Sequence, residues 1–211
     1  MRFSDDQLLI FDLGGVIIDL NYDRMINQFA SNCNKDRDEI KSILMQDPLL
    51  LQYEIGGIDT QSFYHQMKEI INFNASFDKF AAAWNSLMNP LAAKKIDFLK
   101  QLSLNRRVAI LSNTNDLHQR GFDEMVKQVS EFEDMKSLIP SAYYSHDMGL
   151  RKPDSSIFLH VCELENINPG KCVFFDDNTD NIKTASNLGL TTFLITYQDQ
   201  IFDLLNAEKI Q

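Results

Sequence analysis

The sequence predicts an α/β protein: a three-layer parallel sheet with helices on both faces, interrupted after its first strand by an all-helical insert. Three observations carry this reading. The apolar run Leu8-Leu9-Ile10-Phe11 stops at Asp12 and is followed by Gly14-Gly15, the pattern of a short buried parallel strand. From Leu91 onward, helical and strand-like periodicities alternate, as right-handed βαβ units require. Between about residues 19 and 90, apolar residues recur only at helical spacing. The expected organisation is a core made of residues 1–18 and 91–211, with a helical domain inserted at 19–90.

Taken in order, Tyr22, Met25, Ile26, Phe29, Ala30 and Cys33 share one helical face, and Ile40, Ile43 and Leu44 share another. Leu49-Leu50-Leu51 follows Pro48, and Gly56-Gly57 makes a turn. Asp59 or Thr60 caps a helix with Phe63, Met67, Ile70 and Ile71, and Ser76 opens one with Phe80 and Trp84. Asn89-Pro90 breaks the helical pattern. A helix with Ile96, Leu99 and Leu102 then leads into a strand at 107–113. Helical segments over 116–138 precede a short strand at 142–144. Ser155 is placed as the cap of a helix carrying Ile157, Phe158, Val161 and Cys162. The strand 172–177, a helix with Ile182, Ala185 and Leu188, and the strand 191–195 complete the core. The last five residues, AEKIQ, read as a solvated tail.

Composition narrows the function. A chain of 211 residues with 44% hydrophobic residues buries a full core. A formal net charge of −10 argues against nonspecific binding to nucleic acid or an anionic membrane, though not against an anionic substrate held by a local cation. The acidic start MRFSDDQ is unlike a signal peptide, and no apolar run approaches the ~18 residues of a membrane span. Three scattered cysteines, Cys33, Cys162 and Cys172, have no metal-type spacing and fit a reduced, cytoplasmic protein.

The strand ends carry polar groups of different kinds, and all of them fall on one edge of a parallel sheet, where ligands bind in such folds. They are Asp12, the run Ser112-Asn113-Thr114-Asn115, the loop Arg151-Lys152-Pro153-Asp154, and Asp176-Asp177-Asn178. Asp12 alone reads equally well as an acidic turn residue. With Asp176 and Asp177 it forms a carboxylate cluster that calls for a cation, and hard oxygens suit Mg²⁺. Ser112, nearby backbone N–H groups and the Lys152 ammonium supply donors for a phosphoryl group. A metal-neutralised Asp12 is then free to approach phosphorus as a nucleophile.

The segments DLGGV, LSNTN, LRKPD and FFDDNTDN, in this order at strand ends, resemble the four motifs of the haloacid dehalogenase superfamily. The resemblance implies a Rossmann-like core, with the insert in the position of that superfamily's helical cap domain. It implies that Asp12 is the nucleophile and a Mg²⁺ ligand, with the Gly14 carbonyl and Asp177 as further ligands and Asp176 beside them, bonded to the metal directly or through water. Ser112 and the Asn113 amide would bind phosphate, Lys152 would steady Asp12 and the transferring group, and Asn181 would orient the metal's waters. The implied substrate is a small phosphorylated metabolite, a sugar phosphate in the branch with D-L-G in its first motif, and the implied protein is a monomer or homodimer.

One departure matters. Most phosphatases of the superfamily place a second aspartate, the general acid and base, where this chain has Gly14. His118 is a substitute candidate, since the branch with S-N-T-N-x-x-H keeps activity and Ser112 to His118 matches it. An acyl-phosphate-like substrate that needs little protonation is another answer. Two alternatives stay open: a protein that binds phosphorylated ligands without turnover, and a metal-independent 2-haloacid dehalogenase. Arg151 is expected to be solvated, and Trp84 to be core of the helical insert.

Overall fold

A computed structural model describes residues 3–206; the AEKIQ tail lies outside the described residues. Strand β1 (Leu8–Phe11) is followed by five helices, α1 (Tyr22–Ala30), α2 (Arg37–Gln46), α3 (Pro48–Glu54), α4 (Thr60–Ile71) and α5 (Phe77–Asn85). Helix α6 (Ala93–Ser103) then leads to β2 (Arg107–Ser112), α7 (Asp116–Val129), α8 (Met135–Leu138), β3 (Ala142–Tyr144) and α9 (Ser145–Met148). The chain closes with α10 (Ser155–Leu164), a 3₁₀ turn at Pro169–Lys171, β4 (Cys172–Asp176), α11 (Thr179–Asn187), β5 (Thr191–Leu194) and α12 (Gln200–Asn206). The expected helical stretch at 116–138 is thus two helices. Asp154, not Ser155, caps α10, its carboxylate accepting from Ser156 N.

All five strands are parallel, in the order β3-β2-β1-β4-β5. Side chains alternate across the pleat and both faces are buried. Leu9, Phe11, Val108, Ile110, Val173 and Phe175 enter one cluster with residues of α6, α7 and α12. Leu8, Ile10, Ala109, Leu111, Cys172 and Phe174 enter another with residues of α10 and α11. Phe11 stacks on Phe175 at 4.7 Å and Phe175 on Phe193 at 5.3 Å, so a ring ladder pins the register of the three strands.

Helices α1 to α5 bury a cluster of their own, in which Phe29, Phe63, Phe80 and Trp84 meet edge to face or stacked. The chain enters and leaves this insert side by side. Leu20 bridges antiparallel to Met88, Asn21 N donates to Leu87 O at 2.7 Å, and Asn89 N donates to Asp19 O at 2.8 Å. The Arg24 guanidinium clamps this neck through Ser86 O (2.5 Å) and Met88 O (2.6 Å). No helix among the described residues is long and apolar enough to cross a membrane.

Candidate active site

Register sets the first pair of groups. Phe11 lies opposite Phe175, so the next residues, Asp12 and Asp176, leave the sheet side by side. Both have the parity of the face that carries Phe174, and the Lys152 ammonium reaches them from there, 5.4 Å from the Phe174 ring centre. Its Nζ lies 2.9 Å from Asp12 Oδ1 and 2.8 Å from Asp176 Oδ2, and donates to Leu111 O at 2.8 Å. Three oxygens thus meet the three donors of a fully buried ammonium, which is how such a charge is tolerated.

The Lys152 backbone is held as firmly as its tip. Asn113 Nδ2 donates to Lys152 O and Lys152 N donates to Asn113 Oδ1, both at 2.8 Å. The Asn113 side chain is therefore spent on the lysine loop, which leaves its backbone N–H as the group available to a phosphate. Ser112 Oγ has only a long 3.5 Å contact to Asn113 O.

Asp176 is enclosed. Its oxygens accept from Lys152, from Asn178 N at 2.8 Å and from both approaches of Asn181 Nδ2 at 3.0 Å. Asn181 thus faces Asp176 here and fixes its plane. Asp177, by contrast, is exposed, and its carboxylate lies against Gly15. Gly15 has φ +75°, and a Cβ there would sit 2.1 Å from Asp177 Oδ2. Of the Gly14-Gly15 pair, only Gly15 is obligatory. A Cβ on Gly14 would meet the far end of the Leu20 side chain at 3.0 Å.

One oxygen each of Asp12, Asp176 and Asp177 falls within 4.8 Å of the others. Burial pushes the Asp12 carboxyl up to about 8; Lys152 pulls against this, while Asp176 and Asp177 add to it. Asp177 is raised by burial and by Asp176. The Lys152 ammonium is held above its usual range: burial opposes the charge, and the Asp12 and Asp176 carboxylates more than offset it. Three carboxylates against one ammonium leave a negative excess that a divalent cation fits, and the donors are the hard oxygens Mg²⁺ prefers.

A cavity of about 200 Å³ runs from Gly14, Ser112 and Asn113 into the insert. Its walls include Leu20, Met25, Leu44, Trp84, Leu87 and Met88, with Tyr22, Glu54 and His118 as polar members. Trp84 is core of the insert, as expected, and it also reaches across to the sheet side. Its Nε1 donates to Asn115 Oδ1 (3.2 Å), and its ring stacks on His118 at 5.2 Å.

His118 has both ring nitrogens engaged: Asn115 Nδ2 is 3.2 Å from Nδ1, and Nε2 is 3.3 Å from Trp84 O. Burial lowers its pKa to about 4, so it is neutral at pH 7, with the Nε2–H tautomer donating to the carbonyl. His118, the candidate substitute for the missing acid, is here a ring packed on Trp84 with both nitrogens hydrogen-bonded. Arg151 is not simply solvated. Its Nη2 lies 2.9 Å from Oε2 of Glu54, a residue the sequence reading passed over. A carboxylate directly before Ile55-Gly56-Gly57, at the end of a helix, was the available signal.

The haloacid dehalogenase-like hydrolase family profile matches residues 7–189. Among curated proteins, a D-ribitol-5-phosphate phosphatase of Bacteroides thetaiotaomicron is 25% identical over 185 residues, 88% of this chain and 89% of that one. A Bacteroides thetaiotaomicron HAD-family enzyme solved with magnesium and inorganic phosphate has a TM-score of 0.82 at 31% identity, covering 89% of this chain and 93% of its own. A Porphyromonas gingivalis structure described as a predicted HAD-like hydrolase has a TM-score of 0.87 at 25% identity, covering 99% and 100%. Strand order, the four strand-end motifs and this match agree: the chain belongs to the haloacid dehalogenase-like hydrolase family.

Proposed function

We propose that the protein is a Mg²⁺-dependent phosphomonoester hydrolase that works through an aspartyl-phosphate at Asp12. The observation that carries this reading is the Asp12–Asp176–Asp177 cluster around Lys152, at the mouth of a cavity that also holds Ser112 and Asn113. Asp12, Asp177 and the Gly14 carbonyl would hold Mg²⁺, with Asp176 behind them fixing Lys152. Bound there, Mg²⁺ would offset the carboxylate charge and withdraw electron density from the phosphoryl oxygens.

The chain's own groups do the rest. Lys152 steadies Asp12, Ser112 Oγ and the Asn113 backbone N–H orient the phosphoryl group, and Asp12 attacks phosphorus in line as the ester oxygen leaves. Water then hydrolyses the acyl phosphate and frees Asp12. The insert acts as a cap that closes the cavity and selects the substrate.

A small phosphorylated metabolite such as a sugar or polyol phosphate is the leading substrate, supported by the likeness to the ribitol-5-phosphate phosphatase. The largely apolar wall favours a second reading, a phosphate ester of an apolar alcohol, because unpaired hydroxyls are costly in such surroundings. A screen of sugar, polyol, alkyl and prenyl phosphates with Mg²⁺ separates the two, with loss of turnover in EDTA as its control. Metal-independent halide release from 2-chloropropionate would replace both with dehalogenation. Phosphate binding without turnover on any ester would make the protein a binding module.

A further inference from the structure

The Gly14 position leaves the leaving oxygen without a proton donor from the first strand. We infer that Glu54, on the insert, is that donor: a general acid and base brought to the ester oxygen by the insert. This rests on the phosphatase reading above.

Four observations place it there. Glu54 lines the same cavity as Gly14, Ser112 and Asn113, and its side chain is only 16% exposed. It is the last residue of α3, and a carboxylate in the final turn faces the negative end of the helix dipole, a local cost that a merely structural residue would avoid. The helix end is locked where it is. Gly57 N donates to Gln52 O at 2.8 Å and Gly56 N to Tyr53 O at 3.1 Å, the paired closure of a Schellman motif. Gly56 has φ +68° and packs so closely on α9 that a Cβ would lie 2.3 Å from His146 O.

The last observation is the ion pair itself. Arg151 Nη2 approaches Glu54 Oε2 at 2.9 Å without hydrogen-bond alignment, and Oε2 has no hydrogen-bond partner among the described residues. The carboxyl is thus held in the cavity wall by charge, with Oε2 buried against the guanidinium. Burial holds its pKa above the usual carboxylate range; Arg151 and, more weakly, Lys152 pull it down, and Tyr22 is the other titratable group facing it.

In the first step the Asp12–phosphorus bond forms, the ester P–O bond breaks, and the Glu54 proton passes to the departing oxygen. In the second, Glu54 takes a proton from water as water attacks phosphorus and the acyl-phosphate bond breaks, which restores both carboxyls.

Glu54→Gln, assayed with Mg²⁺, tests this through leaving-group dependence. On an alkyl phosphate, kcat should fall about 10²–10⁴-fold. On 4-nitrophenyl phosphate, whose leaving group needs no proton, the variant should release a burst of one nitrophenol per site and then stall. A loss equal for both substrates, without a burst, would mean that Glu54 only ties the insert to the core, and would overturn the proposal. Arg151→Gln provides a second readout that survives misfolding of the first variant. With its cation gone, the alkaline limb of the kcat–pH profile should move to higher pH; an unmoved limb also overturns the proposal. If the wild-type protein hydrolyses neither ester, or if Asp12→Asn stays active, the phosphatase reading itself has failed instead.

Discussion

On the sheet side of the cavity Asp12, Ser112 and Asp176 take their places from strand register; on the insert side Trp84 takes its place from ring packing and Glu54 from the end of α3 and its ion pair. The first kind of placement is tied to backbone ladders that run through two buried clusters, so a reacting atom cannot drift without moving a strand. The second hangs on ring contacts, one indole hydrogen bond and one ion pair. On the proposed function, the nucleophile and the phosphate ligands would lie where the structure is stiff, and most of the substrate-facing wall where single side chains decide it.

The comparison predicts that changes on the sheet edge cost rate, and that changes across the cavity, at the proposed acid Glu54 excepted, cost stability or selectivity. Asp12→Asn should lower kcat by at least about 10³-fold on any phosphate ester while urea denaturation shows a folded protein; substantial turnover would break the division at its centre. Trp84→Ala removes a buried ring and its bond to Asn115, and should cost about 3–5 kcal/mol in urea unfolding. A loss below 1 kcal/mol would show that the insert does not depend on this contact.

The two glycines sharpen the contrast at a finer scale. Gly15→Ala collides with the Asp177 carboxylate and should weaken Mg²⁺ binding about 10–100-fold by calorimetry, while Gly14→Ala, which meets only the tip of Leu20, should change it far less. Equal losses would mean that the loop, not the Asp177 approach, sets the requirement.

The smallest effect at neutral pH belongs to His118. Its folded pKa of about 4 lies below the unfolded value of about 6.5, so the unfolded chain takes up a proton that the folded chain refuses. The stability this group contributes is complete above about pH 6.5 and is lost as pH falls towards 4. The Tm difference between wild type and His118→Gln should therefore shrink over that interval, and a constant difference would show that the ring's burial carries no such penalty.

Much of this was legible in the chain itself, for a physical reason. Asp12 and Asp176 stand at the ends of strands whose two buried faces leave an unbroken apolar run, and a parallel sheet brings such ends to one edge. Long-range packing was not legible. Nothing local to Asn113 shows that its side chain clasps the Lys152 backbone, or that Asn181 faces Asp176. Nothing near His118 in the chain shows its ring contact, because its stacking partner, Trp84, lies 34 residues away in a separate run of helices. Arg151 looked solvated because Glu54 comes to it from the insert.

The neck of the insert has a consequence for how such a protein changes over generations. Leu20 and Met88 are bridged neighbours, so the two ends of the core are already joined across a single strand spacing. Everything between them can be shortened, lengthened or exchanged without asking the sheet to re-thread, and a two- or three-residue linker would reconnect the flanks. A graft cut at this point would carry most of its buried cluster with it and give up the Trp84–Asn115–His118 contact, the Glu54–Arg151 pair, the Tyr53–Leu117 and Thr60–Asp116 hydrogen bonds and the packing of Gly56 on His146. The covalent passage from sheet to insert is thus confined to a neck closed by the Leu20–Met88 bridge, the Asn21–Leu87 and Asn89–Asp19 hydrogen bonds and the Arg24 clamp.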